Sequence, residues 1–145
     1  MIVPRTLILI DPSSPDGEGG LDVLTNQDRA VTLLLTLHGR SAAALREFAI
    51  AEGIDVSMAG LIYLDQVVCR LSVHTDDIET ISTAGADAVN EIFHVLQHRP
   101  VDRVIVPASL PGLEAGGLAK LLQVCPVPVV VAPSATPGTR FPIAS

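Results

Sequence analysis

The chain has 145 residues and a formal net charge of -7, with 48% hydrophobic and 17% charged residues. At roughly 100 to 200 residues per domain, this length predicts one compact domain. The apolar composition excludes intrinsic disorder, and no uninterrupted apolar run reaches the roughly 18 residues of a transmembrane helix. The acidic excess is the wrong sign for neutralising the phosphates of duplex nucleic acid.

The cellular context is predicted from the chain's start and its cysteines. The first apolar run, Leu7 to Ile10, is shorter than the hydrophobic region of a signal peptide. Cys69 and Cys125 cannot build a disulfide framework and lack the paired spacing of a metal site. We therefore expect a cytoplasmic protein that does not contact a membrane. The low charged fraction also favours burial of surface against a second copy.

Short apolar runs alternate with segments of helical spacing, which is typical of parallel strands joined by crossover helices. Runs that are nearly continuous in Leu, Ile and Val indicate strands buried on both faces. The predicted strands are Leu7 to Ile10, Val31 to Leu37, Ala59 to Leu64, Val104 to Val106 and Val127 to Ala132. We predict a three-layer α/β/α domain over residues 1–133, with a mostly parallel five-stranded sheet and a Rossmann-like arrangement.

Two helices are well marked in the sequence. One runs from Ser41, whose hydroxyl suits a capping position, to Glu52, with Gly53 as a left-handed stop. A longer one begins at Asp76 and is ended by Pro100. Because a glycine inside a helix costs about 1 kcal/mol, Gly85 leaves an alternative open. In that alternative, Ile78 to Ser82 forms a strand and the helix begins at about Asp87.

The remaining segments carry weaker patterns. Shorter helices are predicted from Leu21 to Asp28 and from Leu113 to Val124, the second with Leu118, Leu121 and Leu122 buried. Residues 11–20, rich in proline and glycine, are predicted to form a loop. Residues 65–75 give no clear pattern. Residues 134–145 are predicted to form an extended C-terminal tail that lies over the surface or over a partner.

Candidate ligand-binding residues follow the predicted strands, because parallel sheets bind ligands beyond the carboxyl ends of their strands. Asp11 follows the first strand and His38 the second. The small residues after the fourth strand include Gly112, Gly116 and Gly117, whose amides suit an anion at a helix amino terminus. Taken alone, the same glycines are better explained by a tight turn with close packing, and a phosphate cradle is the alternative.

The histidine and serine side chains elsewhere in the sequence give little sign of catalysis or metal binding. His94 and His98 are four residues apart on the long predicted helix, but no third zinc ligand is apparent, so we expect a solvated helix face. Ser109 lacks the glycine elbow and the base of a nucleophile triad. No catalytic or metal-binding residue is therefore assigned.

Four stretches carry a family resemblance. Residues 101–106, 112–122 and 125–131 run from a buried strand through a glycine loop and helix into a Cys-Pro-Val strand, and residues 6–11 open the chain with a strand that ends in aspartate. This pattern resembles the universal stress protein family. The resemblance implies an adenine nucleotide alpha hydrolase-like fold, with Asp11 near the adenine of ATP. It also implies a homodimer formed through the strand Val127 to Ala132.

Several residues depart from the family's nucleotide-binding pattern. Pro107 stands at the first glycine position and has no amide hydrogen to donate, and Gly117 stands where a hydroxyl would contact phosphate. Arg103 and Lys120 are the nearest basic residues, and Glu114 would repel a triphosphate. We therefore expect a degenerate nucleotide crevice and no resident cofactor, with binding of ATP or AMP as the alternative.

A second resemblance links residues 44–49, 53–56 and 101–106 to the catalytic domains of serine recombinases. The serine after the first strand and the arginines of that mechanism are missing, so this resemblance implies an inactive domain. The first hypothesis is a non-enzymatic, homodimeric sensor or adaptor that contacts other proteins. Nucleotide binding with weak or no hydrolysis is the second, and the inactive recombinase-like domain is the third.

Overall fold

The structure is a computed structural model, and it describes residues 4–12, 21, 24, 29–37, 39–71, 75, 77–83, 88–107 and 117–132. Its strands are β1 (Arg5–Ile10), β2 (Ala30–Thr36), β3 (Asp77–Thr83), β4 (Arg103–Pro107) and β5 (Val129–Ala132). Its helices are α1 (Gly39–Glu52), α2 (Val56–Leu71), α3 (Ala88–His98) and α4 (Gly117–Val124). Within this part of the chain, no helix combines the length and apolar character needed to cross a membrane.

The five strands form one sheet in the order β3-β2-β1-β4-β5, and every neighbouring pair is parallel. Helices α1 and α2 supply side chains to a core on one face, and α3 and α4 supply those on the other. The arrangement confirms the expected three-layer α/β/α fold with a five-stranded parallel sheet.

The central strand β1 and its neighbour β2 are buried on both faces. Along β1, Ile8 and Ile10 point into a first core cluster with α1 and α2, and Leu7 and Leu9 point into a second cluster with α3 and α4. All four side chains are fully buried. Since burying such a side chain contributes about 1.5–3 kcal/mol, β1 is a main source of the sheet's stability.

The prediction of a strand from Ala59 to Leu64 is wrong, because these residues lie inside α2. The buried positions of α2 are Ala59, Gly60, Leu64, Val67 and Leu71, which is helical spacing. Asp55 precedes the helix, and its Oδ1 accepts a hydrogen bond from the Met58 N–H at 2.8 Å. That contact is an N-cap. A short apolar run does not distinguish a strand from a helical segment by itself.

The third strand is β3, so the continuous helix from Asp76 is wrong and the alternative split is confirmed. Residues Asp77 to Thr83 pair in register with β2 from Ala30 to Thr36. The helix that follows, α3, begins at Ala88 and ends at His98, just before Pro100. Because isoleucine and threonine dominate residues 77–83, the segment suits a pleated strand better than a helix.

The other helices agree with the sequence in part. Helix α1 ends at Glu52, and Gly53 has a φ of 69°, as its predicted role as a left-handed stop requires. In α4, Leu121 is fully buried, but Leu122 is 53% exposed, so its predicted burial is wrong. Among residues 65–75, α2 extends as far as Leu71.

Several predictions lie wholly or mainly outside the described residues. They concern the loop after Pro12, most of the helix from Leu21 to Asp28, the start of the helix from Leu113, and the C-terminal tail.

A polar network joins β1, β2 and β3 at the amino ends of the strands. The Arg5 guanidinium donates to the Val31 carbonyl at 3.2 Å and to Thr32 Oγ1 at 3.1 Å, and it forms an ion pair with Asp77. The Thr32 hydroxyl in turn donates to Glu79 Oε1 at 3.2 Å. These contacts fix the mutual register of three strands at the edge opposite to the predicted ligand site.

Helix α2 approaches β2 closely at Gly60, which gives a test of its placement. A Cβ at Gly60 would lie 3.3 Å from Leu35 Cδ2 and 3.4 Å from Leu37 Cδ2. We expect Gly60→Val to lower the free energy of unfolding by about 1–3 kcal/mol through overpacking. The exposed control Ser57→Val should change it little, since serine and valine have similar helix propensities. Equal effects of the two variants in urea denaturation would contradict this packing.

Candidate functional site

The predicted ligand site lies where strand order reverses in the sheet. Strands β1 and β4 are neighbours, and the chain continues from β1 to one side of the sheet and from β4 to the other. Open parallel sheets place their ligand crevices at this position, beyond the carboxyl ends of the strands. Asp11 directly follows β1, and Gly117 begins α4, the helix after β4. Both predicted positions therefore follow the strands that flank the crevice.

The Asp11 side chain is committed to a contact inside the fold. Asp11 is 0% exposed, and its Oδ1 accepts a hydrogen bond from Ser41 Oγ at 2.9 Å. Ser41 is itself 1% exposed and lies in the first turn of α1. A carboxylate near a helix amino terminus is favoured by the helix dipole. Asp11 thus links the end of β1 to the start of α1.

Of the other predicted site residues, Gly117 alone lies within the described part of the chain. His38, Gly112 and Gly116 lie outside the described residues, and Gly117 is described by its backbone as the first residue of α4. The participation of these four residues in a ligand site stays a prediction.

Pro107 is the last residue of β4 and pairs with Ala132 of β5. It is buried at the carboxyl end of the sheet. Proline carries no amide hydrogen. One backbone position beside the crevice therefore cannot donate a hydrogen bond to an anion.

A cleft of about 200 Å³ lies between α1 and α2, next to the end of β1. It is lined by Pro12, Ala44, Leu45, Phe48, Ala59, Ile62, Tyr63 and Gln66. No lining residue is charged, and the Tyr63 and Gln66 side chains supply the polar groups. This α1–α2 cleft is suited to an apolar group and poorly suited to a polyphosphate.

The sequence analysis missed the α1–α2 cleft because it assigned Ala59 to Leu64 to a strand. The signal was present in the spacing of the residues. Ile62, Tyr63 and Gln66 lie three, four and seven residues after Ala59, so all four share one helix face. Placing this segment on a helix would have paired it with the apolar face of α1.

His94 and His98 lie on an exposed face of α3, as expected. Their ring centroids are 4.5 Å apart, and His98 Nδ1 lies 2.9 Å from the His94 carbonyl oxygen. Within the described residues, no group of three His, Cys, Asp or Glu side chains is placed to hold a metal ion. Neither Cys69 nor Cys125 forms a disulfide.

A double-mutant cycle tests the link between Asp11 and Ser41. We expect Asp11→Ala and Ser41→Ala each to destabilise the fold, with a coupling energy of about 1–3 kcal/mol because they break the same hydrogen bond. Asp11→Asn, which keeps an acceptor oxygen at this position, should cost less than Asp11→Ala. The measurement is chemical denaturation of the natural chain, the two alanine variants, the double alanine variant and Asp11→Asn. Strictly additive effects of the two alanine substitutions would contradict the link.

Comparison with solved structures identifies the fold. Universal stress protein UspA from Lactobacillus plantarum superposes with a TM-score of 0.61 at 14% identity, covering 92% of this chain and 99% of that one. The crystal structure of the hypothetical protein PH0823 superposes with a TM-score of 0.63 at 16% identity, covering 93% and 99%. No protein-family model and no curated protein matches the sequence.

These comparisons agree with the resemblance seen in the sequence. They give no support to the resemblance to serine recombinases, which is not carried further. The chain has the three-layer fold of universal stress protein UspA.

Proposed function

We propose that the chain is a non-enzymatic sensor or adaptor domain that acts as a homodimer, with a nucleotide crevice that no longer binds ATP or AMP. The observation that carries this proposal is the complete burial of Asp11 and its hydrogen bond to Ser41. The fold supports a domain like the universal stress proteins. A cytoplasmic location stays part of the proposal.

The burial of Asp11 argues against nucleotide binding at this edge. In the universal stress proteins, the family resemblance assigns the corresponding aspartate to the adenine end of ATP. Here the carboxylate accepts a hydrogen bond from Ser41 Oγ at 2.9 Å, and neither side chain is accessible to solvent. A nucleotide would have to displace the hydrogen bond between these two side chains to reach Asp11, which costs the free energy of that contact.

The charges around the crevice also argue against nucleotide binding. Arg103 is the first residue of β4, so it lies at the amino edge of the sheet, where its Nε donates to Thr6 Oγ1 at 3.3 Å. It is therefore at the wrong edge to neutralise a phosphate. Lys120 is exposed on α4, one turn beyond Gly117. The net charge of -7 also disfavours the approach of a triphosphate.

Isothermal titration calorimetry with Mg-ATP and with AMP tests the proposal. We expect no saturable heat and no change in melting temperature at millimolar nucleotide. If the nucleotide binds, a nucleotide concentration of 100 times the dissociation constant stabilises the fold by about 2.7 kcal/mol, which a thermal melt detects readily. Saturable binding would overturn the degenerate crevice and favour the alternative, an ATP- or AMP-binding stress protein.

The edge strand β5 supports the homodimer. It lies at one end of the sheet, and Val129, Val130 and Val131 are only half-buried. On the adjacent helix α4, Leu122 is 53% exposed and Val124 is 56% exposed. An edge with apolar side chains and open backbone groups favours pairing with another strand.

The hydrogen-bond pattern identifies which backbone groups of β5 are open for pairing. The Val104 N–H donates to the Pro128 carbonyl, so the backbone groups of Pro128 face β4. Successive residues of a strand direct their backbone groups to alternate sides. Val130 therefore faces β4 as well, while the N–H groups of Val129 and Val131 face away from the sheet.

Light scattering tests the dimer and its strand. We expect a mass of twice the 15.2 kDa chain at micromolar concentration. Val131→Pro should give a monomer, because it removes an outward N–H and leaves the pairing with β4 in place. Val131→Thr, which keeps the N–H and the β-branched shape, should remain dimeric. A monomeric natural chain, or a dimeric and folded Val131→Pro variant, would contradict dimerisation through β5.

A further inference from the structure

The α1–α2 cleft matches a single aromatic side chain in size. Its volume is about 200 Å³. An apolar cavity of about 150 Å³ holds a benzene molecule, whereas sites for drug-sized ligands enclose roughly 300–1,000 Å³. The cleft is therefore too small for a typical cofactor and large enough for one ring.

The surface around the cleft is unusually apolar for a face left in water. Phe48 lines the cleft and is 37% exposed, while Met58 and Leu61, on the outer side of α2, are 47% and 53% exposed. Exposed apolar side chains on both helices of the cleft suit contact with an apolar partner. The position of the cleft in the fold suggests which group covers it.

The C-terminal tail, residues 134–145, leaves the sheet close to this cleft. Ala132 ends β5 and packs in the first core cluster with Leu45 and Ala59, which also line the cleft. All strands are parallel, so Ala132 lies at the same edge of the sheet as Pro12. Only β4 separates β5 from β1, a spacing of about 10 Å from β1 to β5. The nine residues that follow Ala132, ending with Phe141, can span up to about 30 Å when extended.

The composition of the tail complements the cleft. Its bulky apolar residues are Phe141 and Ile143, its only charged residue is Arg140, and its prolines favour an extended chain. The cleft-forming stretch, residues 44–66, holds four acidic residues and one arginine. An aromatic side chain preceded by a cation therefore suits an apolar cleft formed by a stretch with more acidic than basic residues.

We propose that the tail docks on the α1–α2 cleft of its own chain, with the Phe141 ring inside the cleft and Arg140 facing its acidic surroundings. Tethering gives the tail a local concentration in the millimolar range, so a modest intrinsic affinity suffices. The proposal goes beyond the sensor or adaptor role and is independent of nucleotide binding and of pairing through β5. A protein partner that uses this face must first displace the tail.

A tryptophan reporter tests the proposal, because the natural chain contains no tryptophan. In full-length Phe141→Trp, we expect emission at a shorter wavelength than in denaturant. Adding Ala44→Glu, which places a charge in the cleft, should shift this emission to longer wavelength. The matched control Ala43→Glu lies on the same helix but is exposed and outside the cleft, and it should leave the emission unchanged.

Trypsin cleavage after Arg140 provides a second test, in which the chain keeps its natural Phe141. We expect cleavage to be slow in the natural sequence and in Ala43→Glu, and faster in Ala44→Glu, with circular dichroism confirming that all three are folded. Emission like that of the denatured chain, together with equal cleavage rates, would overturn the docking. A short-wavelength emission that is lost on dilution would assign the cleft to the tail of a second copy and would overturn docking within one chain.

Discussion

Burial of β1 and β2 on both faces is the constraint from which the rest of the structure follows. These strands pair along their full length, from Arg5 opposite Ala30 to Ile10 opposite Leu35, and their side chains fill both core clusters. Helices must cover each face, since neither face can be left in water. Parallel pairing then brings the carboxyl ends of all strands to one edge, where Asp11 and Ala132 lie. The site and the proposed docking of the tail both depend on this convergence.

Asp11 shows how the fold uses a residue that the family resemblance assigns to a ligand. Because β1 is central, the residue that follows it enters a region without solvent, and a buried carboxyl group there needs hydrogen-bond donors. The Ser41 hydroxyl supplies one, at the start of α1. The contact fixes where α1 begins relative to β1, and with it one wall of the α1–α2 cleft. Asp11 thus joins the end of β1 to the start of α1.

The sequence predicts most of the sheet correctly, and its errors have physical causes. Strands β1, β2 and β4 are recognisable because strands buried on both faces read as continuous apolar runs. Strand β5 is a half-buried edge strand, but its residues are all apolar and give the same pattern. Strand β3 lies at the edge of the sheet and is only half-buried, so its threonines and acidic residues do not give such a run. The apolar run from Ala59 to Leu64 belongs instead to α2, a helix with buried and exposed apolar faces. The predicted number of strands was therefore right although one of the five was misplaced.

The site was less predictable than the sheet. The place of Asp11 at the carboxyl edge follows from the strand pattern, but its hydrogen bond to Ser41 depends on the path of the chain between residues far apart in sequence. The α1–α2 cleft depends on the packing of two helices, one of which was not recognised. Its lining spans Pro12 to Gln66, and no short motif encodes that combination.

We propose that the carboxyl edge between β1 and β4 holds a structural contact in place of a nucleotide. The most direct measurement is a titration of the ¹⁵N-labelled protein with Mg-ATP, followed through its backbone amide resonances. We expect the amide signals of Asp11, Ser41 and Gly117 to stay in place up to millimolar nucleotide. Saturable shifts centred on these three residues would show that a nucleotide binds at this edge and would overturn the proposal.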